Sequence, residues 1–249
     1  MYLLANFQIE YIDMIIKKLR LPTRDAELDY FLSGENTLGM PTYPDACEPF
    51  NIFSKKRLYS LDFHNVTVFC GGSNSEKNLM LSVIASKLGI KQMPKGMSDR
   101  CLGDYLKMCY VEYEDSISNG MPKVCLITKE QSRIYMDKMY AQLPYTTRWS
   151  IVDFYQDIFK TNTLYLLEEP EIGMSLSEQE EFQEILYNCA KKKKDQFIIT
   201  TNSHVLLGMN RALIYDFDEY VIKPVKWHKS NIAQRHIKYY KKLKEDPSL

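Results

Sequence analysis

No run of apolar residues in this chain approaches the roughly 20 needed to cross a bilayer, so no membrane span is expected. Neither sign of charge is in excess. Thirty-two basic residues stand against 32 acidic ones, which excludes a protein coated in nucleic acid but not one with a local basic patch. The six cysteines, Cys47, Cys70, Cys101, Cys109, Cys125 and Cys189, form no CxxC pair. They read as buried small hydrophobes, not zinc ligands. Glycine and proline, ten of each, are too sparse for a collagen-like or low-complexity chain. The opening MYLLANFQIEYIDMIIKK places its charges after the apolar stretch, the reverse of a secretory signal, so a cytoplasmic location is expected. What is present is an ordinary globular composition, in a length of 249 residues that can bury a large core without a metal or disulfide staple.

Residues 1–50 read as an irregular or edge β region punctuated by Pro22, Pro41, Pro44 and Pro49. From Arg57 the pattern sharpens. RLYSLDF alternates as a half-buried strand does, VTVFC is continuously apolar, and after Gly71-Gly72 a helical segment runs to Gly89. The stretch from Tyr105 to Glu112 reads as strand or helix, SNGMP as a turn, VCLIT as a strand, and Lys129–Gln142 as a helix. A further helix is expected over Arg148–Lys160, then the strand TLYLL, a helix from near Ser177 with Phe182, Ile185, Leu186 and Cys189 as its apolar stripe, and the strand QFIITT. ALIYDF and YVIKPV read as late strands, and a polar helix covers Asn231–Lys244. Buried strands alternating with helices predict an α/β fold with a mixed sheet and an antiparallel portion. The expected division is 1–50, a main domain over 51–225 with a short insert at about 95–148, and a basic helix over 226–249.

Three pieces carry chemistry. A phosphate cradle needs a strand, a loop of closely spaced backbone N–H groups, and a helix start with a lysine. Gly71, Gly72, Ser73, Asn74, Ser75, Glu76, Lys77 and Asn78 have that context and spacing. The strand TLYLL runs into Glu168, Glu169, Pro170 and Glu171, offering one acid to a metal's water shell and a second to orient an attacking water. About thirty residues on, FIITT ends at Asn202, Ser203 and His204. In this order the motifs resemble those of ABC-type ATPases of the SMC-like, recombination-repair branch, bacterial AAA-family ATPases of the ABC kind, over roughly residues 45–220. The resemblance implies a P-loop NTPase-like ABC ATPase head that uses ATP and magnesium. It places Asn202 at the switch, Ser150 and Asp153 in the signature loop, and Asn78 and Glu168 at the metal. It also implies a dimer, formed with a second copy or with an active relative.

The chain departs from that pattern at each motif. Glu76 stands where a glycine belongs and adds negative charge where phosphate must bind; two like charges about 4 Å apart repel by about 4 kcal/mol at an effective dielectric near 20. Asn78 replaces a hydroxyl at the metal, Asn202 cannot carry the charge of an imidazolium, and Val152 replaces the signature glycine. Lys77 reads either as a phosphate-binding charge or as an exposed lysine opening a helix. The acidic pair reads as catalytic or as solvated carboxylates ahead of a helix, and His204 as a replacement switch or a surface histidine. The segment between VCLIT and Ser150, about twenty residues, is too short for a protruding helical arm.

Between Val221 and Lys244 there are eight lysines and arginines and no acid, with Trp227, Tyr239 and Tyr240 interleaved. That run fits either nucleic-acid binding or a solvated helix whose aromatics dock on the body. Three functions follow as expectations. The first is a degenerate ATPase domain with weak or no ATP hydrolysis, binding ATP and magnesium weakly or not at all, acting as a regulatory or assembly subunit. The second is an active ATPase in DNA repair or phage defence, with Glu169 as its catalytic acid. The third is a nucleic-acid-binding module.

Overall fold

A computed structural model describes residues 15–43, 47–73, 75–90, 98–114, 123–142, 150–192 and 194–245. Among the described residues the first elements are β1 (Ile16–Arg20) and α1 (Arg24–Leu32), within the segment read as irregular or edge β. Thr23 caps α1 by accepting from the Ala26 N–H at 3.2 Å, a local signal at the helix start. Next come β2 (Ser60–Asp62), β3 (Val66–Cys70), α2 (Lys77–Lys87), α3 (Asp99–Met108) and β4 (Tyr110–Tyr113). β5 (Lys123–Ile127), α4 (Lys129–Gln142), α5 (Ile151–Ile158), β6 (Thr163–Glu168) and α6 (Leu176–Lys192) follow. The chain continues through β7 (Gln196–Thr201), α7 (His204–Leu207), β8 (Leu213–Asp216), β9 (Pro224–Val225) and α8 (Asn231–Glu245).

The strands form two sheets. β2, β1 and β4 make a small antiparallel sheet, and the main six-stranded sheet has the order β5-β6-β7-β3-β8-β9. Its first five strands are parallel; β9 pairs antiparallel with β8. The protein is therefore mixed α/β with an antiparallel portion. Residues 95–148, read as a short insert, include β4 of the small sheet and β5, an edge strand of the main one. YVIKPV pairs only at Pro224 and Val225, because proline has no N–H to continue a ladder and serves at an edge. The turn expected at SNGMP lies outside the described residues.

Both faces of the main sheet are covered, which is why its strands read as unbroken apolar runs. Alternate residues feed two cores. Leu164, Leu166, Ile198 and Phe69 join the side of α2, α3 and the small sheet, while Tyr165, Leu167, Ile199 and Val68 join the side of α5, α6 and α7. Buried Gln196 ties the two sheets together: its Oε1 accepts from the Ile16 N–H at 2.9 Å, and its Nε2 donates to the Ile16 carbonyl at 2.8 Å. All six cysteines are free thiols, five buried and Cys125 half-buried.

Candidate functional site

Pairing of Cys70 with Thr201 and Asp216, and of Glu168 with Thr200, brings the carboxyl ends of β3, β6, β7 and β8 level at one edge of the sheet. Loops leaving that edge converge, which is where open parallel sheets bind ligands. After β3 the chain turns tightly. Gly71 has φ of +151°, and a Cβ there would lie 2.5 Å from the Ser75 hydroxyl oxygen, so only glycine fits. Ser75 N–H closes the turn on the Gly72 carbonyl at 3.0 Å. Asn74 lies outside the described residues.

Lys77 opens α2 and is 0% exposed, so it is not a surface lysine at a helix start. Its ammonium lies 3.1 Å from Glu169 Oε1 and donates to the Gly72 carbonyl at 3.2 Å. Glu169 sits in the left-handed region, with φ of +47°, a conformation costly for a non-glycine residue and typical of functional or over-determined positions. Its N–H donates to the Thr200 carbonyl at 2.9 Å, which pins it there. The Asn78 amide donates to Glu168 at 3.1 Å and Glu169 at 3.3 Å, and the Asn202 amide donates to Glu169 at 3.3 Å. The acidic pair is therefore not the solvated pair that composition allowed.

Sequence reasoning missed Lys129, whose ammonium lies 3.4 Å from Glu169 and 3.7 Å from Glu168. Its signal was its place two residues past β5, at the same edge. Burial pushes both carboxyls up, but the Lys77 and Lys129 charges hold Glu169 below the usual carboxylate range. At Glu168 burial wins over Lys129, and its value is raised. Glu171 is also raised by burial, although it accepts from the Thr201 hydroxyl at 2.7 Å and the Asn202 N–H at 2.8 Å.

The other half of the loop carries a correction. Glu76 turns aside to Lys56, at 2.7 Å, and it is Asp218, just past β8, whose carboxylate accepts from the Gly72 N–H at 2.8 Å. A carboxylate of the chain thus occupies one backbone N–H of the loop. Beside it a cleft of about 380 Å³ is lined by Lys56, Gly72, Ser73, Ser75, Glu76 and Asp218, with Phe217 as its apolar wall.

Magnesium–ATP does not fit this arrangement. Four cations (Lys56, Lys77, Lys129 and Arg235) already face four carboxylates (Glu76, Glu168, Glu169, Asp218) at the loop and strand ends, so an entering triphosphate meets no net positive charge. Asn78 directs its amide hydrogens, not its carbonyl oxygen, at the acids a metal would bridge. Among the described residues no group of three His, Cys, Asp or Glu side chains could hold a metal ion.

The signature positions lie elsewhere. Ser150 and Asp153 form a capping box at the start of α5, and the Ser150 hydroxyl donates to Glu178 at 2.5 Å. Val152 is 1% exposed and packs in the core, so its side chain does not meet a partner's approach. His204 stacks on His236 of α8, centroids 4.0 Å apart, away from the carboxylates. Trp227, Tyr239 and Tyr240 do not dock on the body: they are 49%, 58% and 57% exposed.

The fold and the loop define a parallel-sheet α/β domain with a glycine turn, a buried lysine and paired carboxylates at its carboxyl edge. No family model matches the chain, and no curated protein does. Solved structures that match include a chain of an inward-facing metal-chelate type ABC transporter, at 11% identity over 73% of this chain and 81% of that one, with a TM-score of 0.37. Another is an SMC head bound to the C-winged helix domain of ScpA, at 12% identity over 67% of this chain and 91% of that one, with a TM-score of 0.38. Among the described residues no helix is long and apolar enough to cross a membrane.

Proposed function

We propose that the chain is an ABC-type ATPase-like domain that does not hydrolyse ATP and serves as a regulatory or assembly subunit, pairing with itself or with an active relative. The observation that carries this reading is the Asp218 carboxylate on the Gly72 N–H. That amide is among the first groups a phosphate would need, and displacing Asp218 would leave its carboxylate beside the incoming anion. Lys77 is likewise committed to Glu169, and Asn78 to both strand-end acids. These bonds join β3, β6, β7 and β8 as a structural clasp, although the Ser75 hydroxyl and the Asn78 and Asn202 side-chain carbonyls are buried without a hydrogen-bond partner among the described residues. The role left to such a domain is to present its surface to an assembly.

Calorimetric titration with ATP and magnesium, together with a phosphate-release assay, should show neither micromolar binding nor turnover. Tight binding, with turnover lost in Glu169→Gln, would overturn the reading. The combined variant Asp218→Ala, Glu76→Gly, Asn78→Ser should bind nucleotide about tenfold tighter or more, because relieving about 1.4 kcal/mol of like-charge repulsion is worth that factor. No gain in a folded variant would count against the loop as a former phosphate cradle.

A further inference from the structure

The chain is neutral overall, yet residues 221–244 hold eight basic side chains and no acid, so the remainder is net acidic by the same eight charges. The molecule is polarised, with its positive end on α8 and the turn before it. Ile232 and Ala233 of α8 are buried, which leaves Lys238, Lys241 and Lys242 exposed on the outer side. These three repel one another across i, i+3 and i, i+4 spacings, an arrangement that works against an isolated helix. Among the described residues Arg235 reaches a carboxylate, Asp218 at 3.8 Å, whereas no lysine of the segment has one within 4.0 Å. Exposed lysines with no carboxylate within 4.0 Å leave their charge open to an external anion.

The aromatics identify which anion. Trp227, Tyr239 and Tyr240 are each about half exposed. Tyr239 and Tyr240 meet edge to face, with centroids 5.9 Å apart, and leave ring surface open to solvent. Phosphates alone would need only the lysines. Exposed rings among lysines suit a polymer that offers both a charged backbone and flat, unstacked bases. The geometry points to single-stranded nucleic acid bound along α8, its phosphates on Lys238, Lys241 and Lys242 and its bases on Tyr239, Tyr240 and Trp227. α8 meets the loop at the sheet edge through Arg235 and Asp218, but none of these six side chains is part of that loop, and the proposal does not depend on the reading given to it.

The test is fluorescence anisotropy of the full chain with a labelled single strand of about 20 nucleotides, longer than the ~4–16 nucleotides bound per OB fold in other single-strand binders. DNA and RNA forms, the matching duplex and heparin serve as comparison arms. The single strand should bind, with log K falling against log salt by about 0.7 for each phosphate contacted. K238E/K241E/K242E should lose at least about tenfold and flatten that slope. Y239A/Y240A should lose roughly fivefold or more with the slope unchanged, because stacking does not release counterions. All replaced side chains are exposed, and circular dichroism checks that each variant is folded. No binding at low salt would overturn the proposal. So would equal affinity for duplex or heparin, or tyrosine variants indistinguishable from the parent.

Discussion

Lys77 and Glu169 form an ion pair at 3.1 Å in which the lysine is wholly buried and the acid nearly so. The partners are not equally dependent on each other. Glu169 would keep Lys129, Asn78 and Asn202 if Lys77 were removed, whereas Lys77 would keep only the Gly72 carbonyl if Glu169 lost its charge. Glu169→Gln should therefore cost about 3–5 kcal/mol, the range for a broken buried pair. Lys77→Met should cost less, about 1–3 kcal/mol. Chemical denaturation of both variants checks the order, and a larger loss for Lys77→Met would refute the argument. The pH dependence has a definite sign. Glu169 is held below the ordinary glutamate value of 4.5, so its stabilising contribution is complete above that pH and is lost as pH falls through the depressed value. The acid limb of the parent's stability curve should be steeper than that of Glu169→Gln. At this scale Gly71, Lys77 and Glu169 were legible because spacing after a strand is local information. Lys129 and Asp218 were not, because only the pairing of β5 with β6 and of β8 with β3 brings them to the loop.

At the scale of elements, α7 and α8 meet through the stacked rings of His204 and His236. Burial first, and the neighbouring His236 second, lower the His204 value below its ordinary 6.5. The folded form favours neutral His204 and the unfolded chain takes up more protons, so this contact contributes fully above pH 6.5 and weakens as pH falls through the lowered value. Amides of α8 should exchange faster at pH 5 than at pH 7.5 beyond the intrinsic pH effect, measured by hydrogen exchange. His236→Phe, which keeps a ring without its charge, should flatten that difference; an unchanged difference would remove the histidine pair from the explanation. Continuously apolar elements were readable in advance: β3, β6 and β7 begin and end within a residue or so of their apolar runs. Within the segment read as irregular or edge β, the bounds of β1 and α1 were not legible, because Pro22 falls between them and the strand owes its place to Gln196, far along the chain. Ser150 marked a real helix start, but for its capping box with Asp153, a purely local role.

For the molecule as a whole, a domain whose loop is clasped internally should not use nucleotide to change its assembly. The oligomeric state of the purified chain by light scattering should be the same with and without ATP and magnesium. A dimer that forms only with nucleotide would reverse the functional reading, since dimerisation would then require the phosphates to displace Asp218. The sequence by itself determined the alternation of buried strands and helices, the glycine turn with its lysine, and the basic run, because each depends on residues adjacent along the chain. Which side chains meet at that loop was decided only by tertiary structure. The order of strands in the sheet selects which distant side chains reach the Gly72 N–H and the Lys77 ammonium, and here it brings carboxylates to both.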